Sequence, residues 1–224
     1  MECEEGEFNN QEEPVFYSKA KSYWSNVSPT INGVLGGYGF ISSCDIQGSE
    51  EFLSKLFQFE NHPDRTRALD CGAGIGRITK HLLLKHFDTV DLIDQNQDFI
   101  ETAKVYVNSP QLGKLYCSGL QNFQPEEKYD LIWCQWVLGH LTDEDLKKFM
   151  RNCKNALREN GIIVVKENVT SSGEIEKDDV DSSITRPLEI LSDLLNQSGL
   201  ECILMNAQTR FPKGLYPVKM FALR

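Results

Sequence analysis

The residues whose types and spacing most directly suggest chemistry are three alternate glycines in the stretch D-C-G-A-G-I-G-R, at residues 70–77. Glycine lets a chain turn sharply after a strand and approach a ligand closely, and a following helix directs its free N–H groups at the site. A dinucleotide-binding loop needs G-x-G-x-x-G to hold a pyrophosphate. Here Gly76 comes one residue early and Arg77 stands where that pattern has glycine, which favours a cofactor without a pyrophosphate, S-adenosylmethionine.

An acidic residue further along the chain supports this interpretation. Residues 89–94 have the apolar character of a parallel strand and end in Asp94, about twenty residues after the glycines, where an acid can bind both ribose hydroxyls. A glycine triplet alone is often only a structural turn. The acid at this position favours cofactor binding, and the early third glycine makes a nicotinamide dehydrogenase the least favoured enzyme class.

Side chains that follow the other strands are further candidates, because ligands of such sheets bind beyond the carboxyl ends of the strands. They are Leu120 and Gln121 for the adenine edge, Gln135, Trp136 and His140 near the reactive end, then Glu167, Asn168 and the acidic residues 178–181. Methyl transfer to an amine needs an unprotonated lone pair, so His140 and Asp181 are candidate bases. Taken alone, His140 is better explained by a core or helix-capping role, the acidic run by a solvated loop and Trp136 by a core position.

The elements that must position these residues alternate between strands and helices from Arg67 onward. Strands are predicted near residues 67–71, 89–94, 114–118, 129–135 and 161–167, with helices near 76–87, 98–108 and 142–157. A helix that begins near Pro187 and two strands near 201–207 and 216–223 follow a polar stretch. This order predicts an α/β fold with a doubly wound, mostly parallel sheet and an antiparallel edge strand.

Length and composition fit one domain, since 224 residues with 40% hydrophobic content can build one core. Residues 1–13 are polar and acidic and are predicted to be disordered. Residues 14–224 are predicted to form a single domain, in which residues 14–60 make a helical cap over the site. The sequence shows neither a basic, apolar leader nor an apolar run of membrane length, so we expect a protein of the nucleus and cytoplasm, with no membrane partner.

Charge and cysteine usage narrow the possible partners. The formal net charge of −10 disfavours direct nucleic-acid binding and favours a cationic partner. The seven cysteines contain no C-x-x-C pair, which predicts reduced thiols and no metal site. The sequence also offers no triad for nucleophilic catalysis.

Several longer segments, taken in order from about Phe16 to Arg224, resemble one protein family. They are F-Y-S-K-A-K at residues 16–21, G-G-Y-G at 36–39, the glycine loop at 70–77, Q-W and G-H-L-T-D at 135–136 and 139–143, D-V-D-S-S at 179–183 and F-A-L-R at 221–224. They are similar to the protein α-N-terminal methyltransferases, class I S-adenosylmethionine-dependent enzymes with a Rossmann-like fold and an N-terminal helical extension. That family methylates the free α-amine of proteins that begin X-Pro-Lys or X-Pro-Arg after the initiator methionine is removed.

The resemblance implies roles for the matching residues. Contacts to S-adenosylmethionine, and to the product S-adenosylhomocysteine, would come from Gly72, Arg77, Asp94, Leu120, Gln121 and Gln135. An acidic channel for the acceptor peptide would be lined by Trp24, Leu35, Trp136, Asn168, Asp178, Ser183, Leu215 and Tyr216. His140 and Asp181 would act as general bases for the α-amine. The G-G-Y-G loop favours family members that add up to three methyl groups.

Two other functional classes stay open. A small-molecule N- or O-methyltransferase would share the cofactor half, but it would not need the acidic residues 178–181 or an open peptide channel. A non-catalytic adaptor could keep the methyltransferase fold for binding alone, since a fold does not fix a function. The intact Asp94, His140, Asn168 and Asp181 count against an adaptor.

Overall fold

The computed structural model describes residues 13–224, so the predicted disordered tail lies outside the described residues except for Glu13. The helices are α1 (Glu13–Ser25), α2 (Ile31–Val34), α3 (Ser42–Leu56), α4 (Arg77–His81), α5 (Gln97–Val107), α6 (Asp143–Asn155) and α7 (Leu188–Gln197). The strands are β1 (Arg67–Cys71), β2 (Thr89–Asp94), β3 (Leu112–Cys117), β4 (Tyr129–Gln135), β5 (Leu157–Thr170), β6 (Glu176–Asp178), β7 (Ser183–Pro187), β8 (Cys202–Ala207) and β9 (Val218–Leu223). Within this range, no helix combines the length and the apolar character needed to cross a membrane.

The strands form one sheet with a parallel centre. Strands β3, β2, β1, β4 and β5 lie side by side in that order and all pair in parallel. The antiparallel pairs β5–β9 and β9–β8 extend the sheet to an edge. The winding direction changes between β1 and β4, and ligands of such sheets bind at this switch point. The predicted doubly wound, Rossmann-like α/β fold with an antiparallel edge strand is confirmed.

The central strands are apolar because helices cover both of their faces. Every residue of β4 is buried, and its Tyr129 and Trp133 have no exposed surface. One face packs against α6 and α7 through residues such as Phe149, and the other packs against α3 through residues such as Phe52. Burial of both faces explains why these strands are continuous apolar runs rather than alternating ones.

Hydrogen bonds fix α1 beside the carboxyl edge of the sheet. The Tyr17 hydroxyl donates to Asp145 Oδ2 at 2.5 Å, at the start of α6. The side-chain amide of Asn96, which follows β2, donates to the Trp24 carbonyl at 2.9 Å. Burial and the Asp145 hydrogen bond raise the pKa of Tyr17, so its hydroxyl remains a donor. Trp24 is thereby held next to the region where parallel sheets bind ligands.

Two segments differ from the sequence prediction. The continuous helix predicted at 76–87 ends at His81 and continues only as a 3-10 turn, Leu83–Lys85. Leu82 follows His81 with φ −125° and ψ −68°, outside the helical region, so the α-helix ends there. The polar stretch predicted before Pro187 contains the antiparallel hairpin β6–β7. β6 is polar and mostly exposed, and β7 is largely buried but has a single large apolar residue, Ile184, so neither strand shows the apolar alternation that identifies strands.

Candidate active site

The glycine loop leaves β1 in backbone conformations that require glycine. Gly72 has φ +66°, and a Cβ placed on it would lie 2.4 Å from a methyl group of Val137. Gly76 has φ +78°, and its Cβ would lie 2.6 Å from a methyl group of Val107. Larger residues would therefore be strained and would also clash with the neighbouring side chains. The loop passes close to residues that follow β4 and to α5, and it forms one wall of a cavity.

Asp94 closes that cavity at the end of β2. Its two carboxylate oxygens accept backbone N–H groups, from Gly74 at 2.8 Å and from Asn96 at 2.9 Å. Burial raises the pKa of Asp94, while the backbone hydrogen bonds oppose that shift. Each oxygen keeps a lone pair for a further donor, which is what two vicinal hydroxyls of a ribose would supply.

A buried polar cluster lies under the other end of the cavity. The guanidinium of Arg77 contacts Asp45 Oδ2 at 2.7 Å, and Asp45 Oδ1 lies 2.5 Å from the Lys166 ammonium. The Gln135 amide also donates to Asp45 Oδ1, at 2.8 Å. Arg77 and Gln135 line the cavity, whereas Asp45 and Lys166 lie behind them. The cluster fixes a positive group at a cavity wall that is otherwise largely apolar.

A second cavity continues from the first towards solvent. The hairpin β6–β7 forms its acidic side, where Asp178 and Ser183 are directly opposite each other in the antiparallel register. Asn168 of β5, Leu215 and Tyr216 form the facing side. The Tyr216 hydroxyl donates to Glu176 Oε2 at 2.5 Å, which joins the two sides at the cavity mouth. This second cavity is referred to below as the channel.

The two cavities share four of the predicted residues: Trp24, Leu35, Trp136 and His140. Trp136 has φ +53°, a strained conformation for a residue with a large side chain. The carboxylate of Glu167 stabilises the next turn by accepting the N–H groups of Val137 and Leu138, both at 2.8 Å. Burial raises the pKa of Glu167 to about 7. The buried carboxylate of Glu167 thus holds in place the backbone that follows Trp136 at the junction.

His140 has a defined tautomer at this junction. The Trp24 indole N–H donates to His140 Nε2 at 3.1 Å, so Nε2 carries the lone pair. His140 Nδ1 lies 3.4 Å from the Ser182 carbonyl and therefore carries the proton. Burial lowers the pKa of His140, while the charge of Asp181 opposes the shift. His140 is therefore a neutral imidazole at pH 7.

Two polar atoms at the junction are buried without a hydrogen-bond partner among the described residues. They are Asp181 Oδ1 and Trp136 Nε1. Leaving such a group unsatisfied costs about 1–3 kcal/mol, and more when the group is charged. An unpartnered carboxylate oxygen beside a neutral imidazole is a natural site for a cationic or N–H-bearing group.

The structure brings together every site residue predicted from the sequence. Those predicted for the methyl donor all line the inner cavity: Gly72, Arg77, Asp94, Leu120, Gln121 and Gln135. Those predicted for the acceptor all line the channel: Trp24, Leu35, Trp136, Asn168, Asp178, Ser183, Leu215 and Tyr216. His140 and Asp181 also line the channel. No group of three potential metal ligands occurs within residues 13–224.

Sequence reasoning missed several residues that support the site. Asp45 sits in a polar helix segment with no pattern that marks it as buried, so no signal was available. Lys166 interrupts the apolar run of β5, and a lysine inside a fully buried strand is a usable signal. The strand-end position of Glu167 made it a candidate, but its contacts and those of Tyr17 join residues distant in sequence and could not be predicted from local patterns.

Comparison with known proteins identifies the class and then the family. Solved structures include an S-adenosylmethionine-dependent methyltransferase from Leishmania major, 40% identical, with a TM-score of 0.88, covering 93% of this chain and 83% of that one. With this fold and the glycine-loop cavity, the chain is an S-adenosylmethionine-dependent methyltransferase. Residues 12–224 match the family described as AdoMet dependent proline di-methyltransferase, and the chain belongs to that family.

Relatives in this family carry more specific names. The proteins named N-terminal Xaa-Pro-Lys N-methyltransferase 1 from Homo sapiens and N-terminal Xaa-Pro-Lys N-methyltransferase 1-A from Xenopus laevis are each 48% identical to this chain. Each alignment covers 96% of this chain and 97% of the relative. The resemblance inferred from sequence segments is therefore confirmed, and the cofactor is S-adenosylmethionine. The close-packed glycine loop and the two open lone pairs of Asp94 fit its adenosine part.

Proposed function

We propose that this chain transfers methyl groups from S-adenosylmethionine to the α-amino group of proteins that begin X-Pro-Lys or X-Pro-Arg, with His140 and Asp181 as general bases. The names of the relatives support the acceptor class. The observation that carries the proposal is the junction of the two cavities. There a neutral imidazole, His140, lines both cavities, and Asp181, whose Oδ1 has no partner among the described residues, lines the channel and acts electrostatically on that imidazole.

The junction suits an amine that must lose a proton before it reacts. When bound, S-adenosylmethionine supplies a methyl group on a positively charged sulfur. A protonated α-amine entering the channel pairs with the open Asp181 oxygen and transfers a proton to His140 Nε2, which requires the Trp24 indole N–H to release the lone pair of that nitrogen. The freed lone pair forms the N–C bond while the S–C bond breaks. An α-amine has a reference pKa of about 8, so a weak base such as imidazole is sufficient.

The channel has the features that an X-Pro-Lys or X-Pro-Arg terminus requires. Leu35 and Leu215 line it and provide apolar surface for a proline ring, whose fixed φ suits a narrow slot. Asp178 lies opposite Ser183 at the hairpin, where a carboxylate and a hydroxyl can bind the cation of the third residue. Asn168 offers an amide for the carbonyl of the first residue.

The number of methyl groups depends on the first residue of the substrate. A primary α-amine becomes quaternary when it accepts its third methyl group, whereas the secondary amine of proline becomes quaternary when it accepts its second. The family description names proline di-methylation, which agrees with the second limit. We propose up to three additions on non-proline termini.

We also propose that the protein acts in the nucleus and cytoplasm, which imaging of the tagged protein would test.

The decisive experiment is a mass-spectrometric assay with matched peptides. The purified protein is incubated with S-adenosylmethionine and a peptide headed Ser-Pro-Lys, its N-acetylated form, or a version headed Ser-Pro-Glu. We expect gains of one, two and three methyl groups on the free Ser-Pro-Lys peptide, no gain on the acetylated peptide, and little on Ser-Pro-Glu. No gain on any peptide despite intact cofactor binding would favour a small-molecule methyltransferase or an adaptor.

Variants of the two bases test the mechanism separately from binding. His140→Ala and Asp181→Asn should each lower turnover by about 10²–10⁴-fold, the usual range for general base catalysis. Asp181 lines only the channel, and His140 is not among the residues assigned to the methyl donor although it borders the donor cavity, so S-adenosylhomocysteine affinity measured by calorimetry should change little. Wild-type turnover in both variants would remove these residues from the mechanism while leaving the acceptor class intact.

A further inference from the structure

Two charged residues outside the predicted site lie directly behind the donor cavity. Asp45 of α3 and Lys166 of β5 have no exposed surface, and Lys166 Nζ lies 2.5 Å from Asp45 Oδ1. The second Asp45 oxygen, Oδ2, accepts from Arg77 Nη1 at 2.7 Å. The three side chains therefore form a buried row, Lys166–Asp45–Arg77, with a cation at each end and one carboxylate between them.

The surroundings of Lys166 fit a charged ammonium. Besides Asp45, its Nζ donates to Ser49 Oγ at 2.9 Å and to Gln208 Oε1 at 2.7 Å. An ammonium has three donors and no acceptor, so a shell of oxygen atoms satisfies it fully. Burial lowers the pKa of Lys166, but the adjacent Asp45 carboxylate opposes that shift. The row therefore contains two positive charges and one negative charge.

The excess positive charge is directed at the cavity. In the described part of the chain, hydrogen bonds from Arg77 to protein use Nη1 only, to Asp45 and Ser42, so Nε and Nη2 remain available. The carboxylate of Asp70 also influences this region, but it is engaged by Thr79 through two hydrogen bonds of 2.9 and 2.7 Å. The amino-acid portion of S-adenosylmethionine carries the only anionic group of that molecule, a carboxylate.

We propose that Asp45 and Lys166 are positioning residues for the methyl donor: Asp45 aims Arg77 at the donor carboxylate, and Lys166 offsets the charge of Asp45. Without Lys166, the donor carboxylate would face an uncompensated Asp45 just behind the guanidinium. The proposal depends on the cofactor and is independent of the methyl acceptor. It also links α3, in the N-terminal helices, to donor binding through its contact with β5.

The test compares two ligands by calorimetry. S-adenosylhomocysteine carries the amino-acid carboxylate, whereas 5′-methylthioadenosine has the same nucleoside and thioether but lacks that portion. A unit charge on the order of 8 Å away, at an effective dielectric constant of about 20, changes affinity for an isolated carboxylate by roughly 30-fold, and the α-ammonium of the same ligand reduces this to the order of 10-fold. We therefore expect Lys166→Met to lower the affinity for S-adenosylhomocysteine by about that factor and to leave the affinity for 5′-methylthioadenosine unchanged.

Two further variants separate charge from packing. Asp45→Asn combined with Lys166→Met restores the single excess positive charge, so it should bind S-adenosylhomocysteine more tightly than Lys166→Met alone. Gln208→Glu keeps an acceptor for Lys166 and nearly the same shape, adds a carboxylate and loses the amide hydrogen bonds to the Cys44 and Thr209 carbonyls, so it should lower stability and weaken binding of S-adenosylhomocysteine selectively. Gln208→Glu also tests the proposal if Lys166→Met does not fold. Equal loss for both ligands in Gln208→Glu, or no loss for either, would overturn it.

Discussion

Replacing Trp24 with phenylalanine should make His140 more basic. The Trp24 indole N–H donates to His140 Nε2 at 3.1 Å, and this hydrogen bond exists only while Nε2 is unprotonated. An imidazolium would instead place two N–H groups against each other. Phenylalanine keeps the aromatic packing, including the edge contact with the His140 ring at a centroid distance of 5.7 Å, but removes the donor. The neutral form of His140 thus loses its specific stabilisation.

The size of the effect follows from the energy of one hydrogen bond. A hydrogen bond between neutral groups contributes about 0.5–1.5 kcal/mol, which corresponds to a change of roughly 2- to 13-fold in the proton-binding constant of His140. The pKa of His140 should rise in Trp24→Phe. This change opposes the effect of burial, which lowers the pKa of His140 in the native protein. Because the neutral imidazole is the proposed base, the acidic limb of the pH–rate profile should move to higher pH.

The assay is an NMR titration of the imidazole resonances, with ¹⁵N shifts reporting which ring nitrogen carries the proton. The chain has four histidines, and the signal that disappears in His140→Ala identifies the relevant one. Tyr23→Phe is the matched control, because the Tyr23 ring also packs on Trp24, at 5.3 Å, without being hydrogen-bonded to His140. An unchanged or lower midpoint in Trp24→Phe, or an equal rise in the control, would refute the reasoning.

Three further variants test other contacts. Tyr17→Phe should lower the free energy of unfolding by about 1.5–3 kcal/mol in urea, because it removes the 2.5 Å hydrogen bond to the Asp145 carboxylate; unchanged stability would mean that α1 is held by packing alone. Asp94→Ala should lower the affinity for S-adenosylhomocysteine by at least tenfold in calorimetry. An unchanged affinity would mean that Asp94 does not bind the ribose. The pKa of Glu167, raised by burial to about 7, makes the native state bind more protons than the unfolded state between pH 4.5 and 7. This contribution therefore destabilises the protein as pH rises through that window. Glu167→Gln should remove this loss of stability, so the free energy of unfolding of the variant relative to wild type should increase with pH by up to about 3 kcal/mol. Curves of unfolding free energy against pH that stay parallel for the two proteins would contradict this.

Much of the fold could be predicted because its signals are local. Apolar runs of strand length, such as β4, follow directly from burial on both faces. The glycine loop and Asp94 were predictable because backbone geometry and ribose binding demand particular residue types at a fixed spacing. The hairpin β6–β7 was missed, because its short, mostly polar strands are positioned by pairing along the sheet and not by an apolar pattern.

The sequence by itself determined the fold class and the cofactor loop, since periodicity and short motifs are properties of neighbouring residues, and its resemblance to one family supplied the candidate acceptor-site residues. The tertiary structure alone decided how those residues act on each other. The Trp24–His140 hydrogen bond joins residues 116 positions apart, and the Lys166–Asp45 contact joins residues 121 apart. Burial, tautomer and charge balance depend on such contacts, because they are set by which groups the folded chain places within a few ångströms.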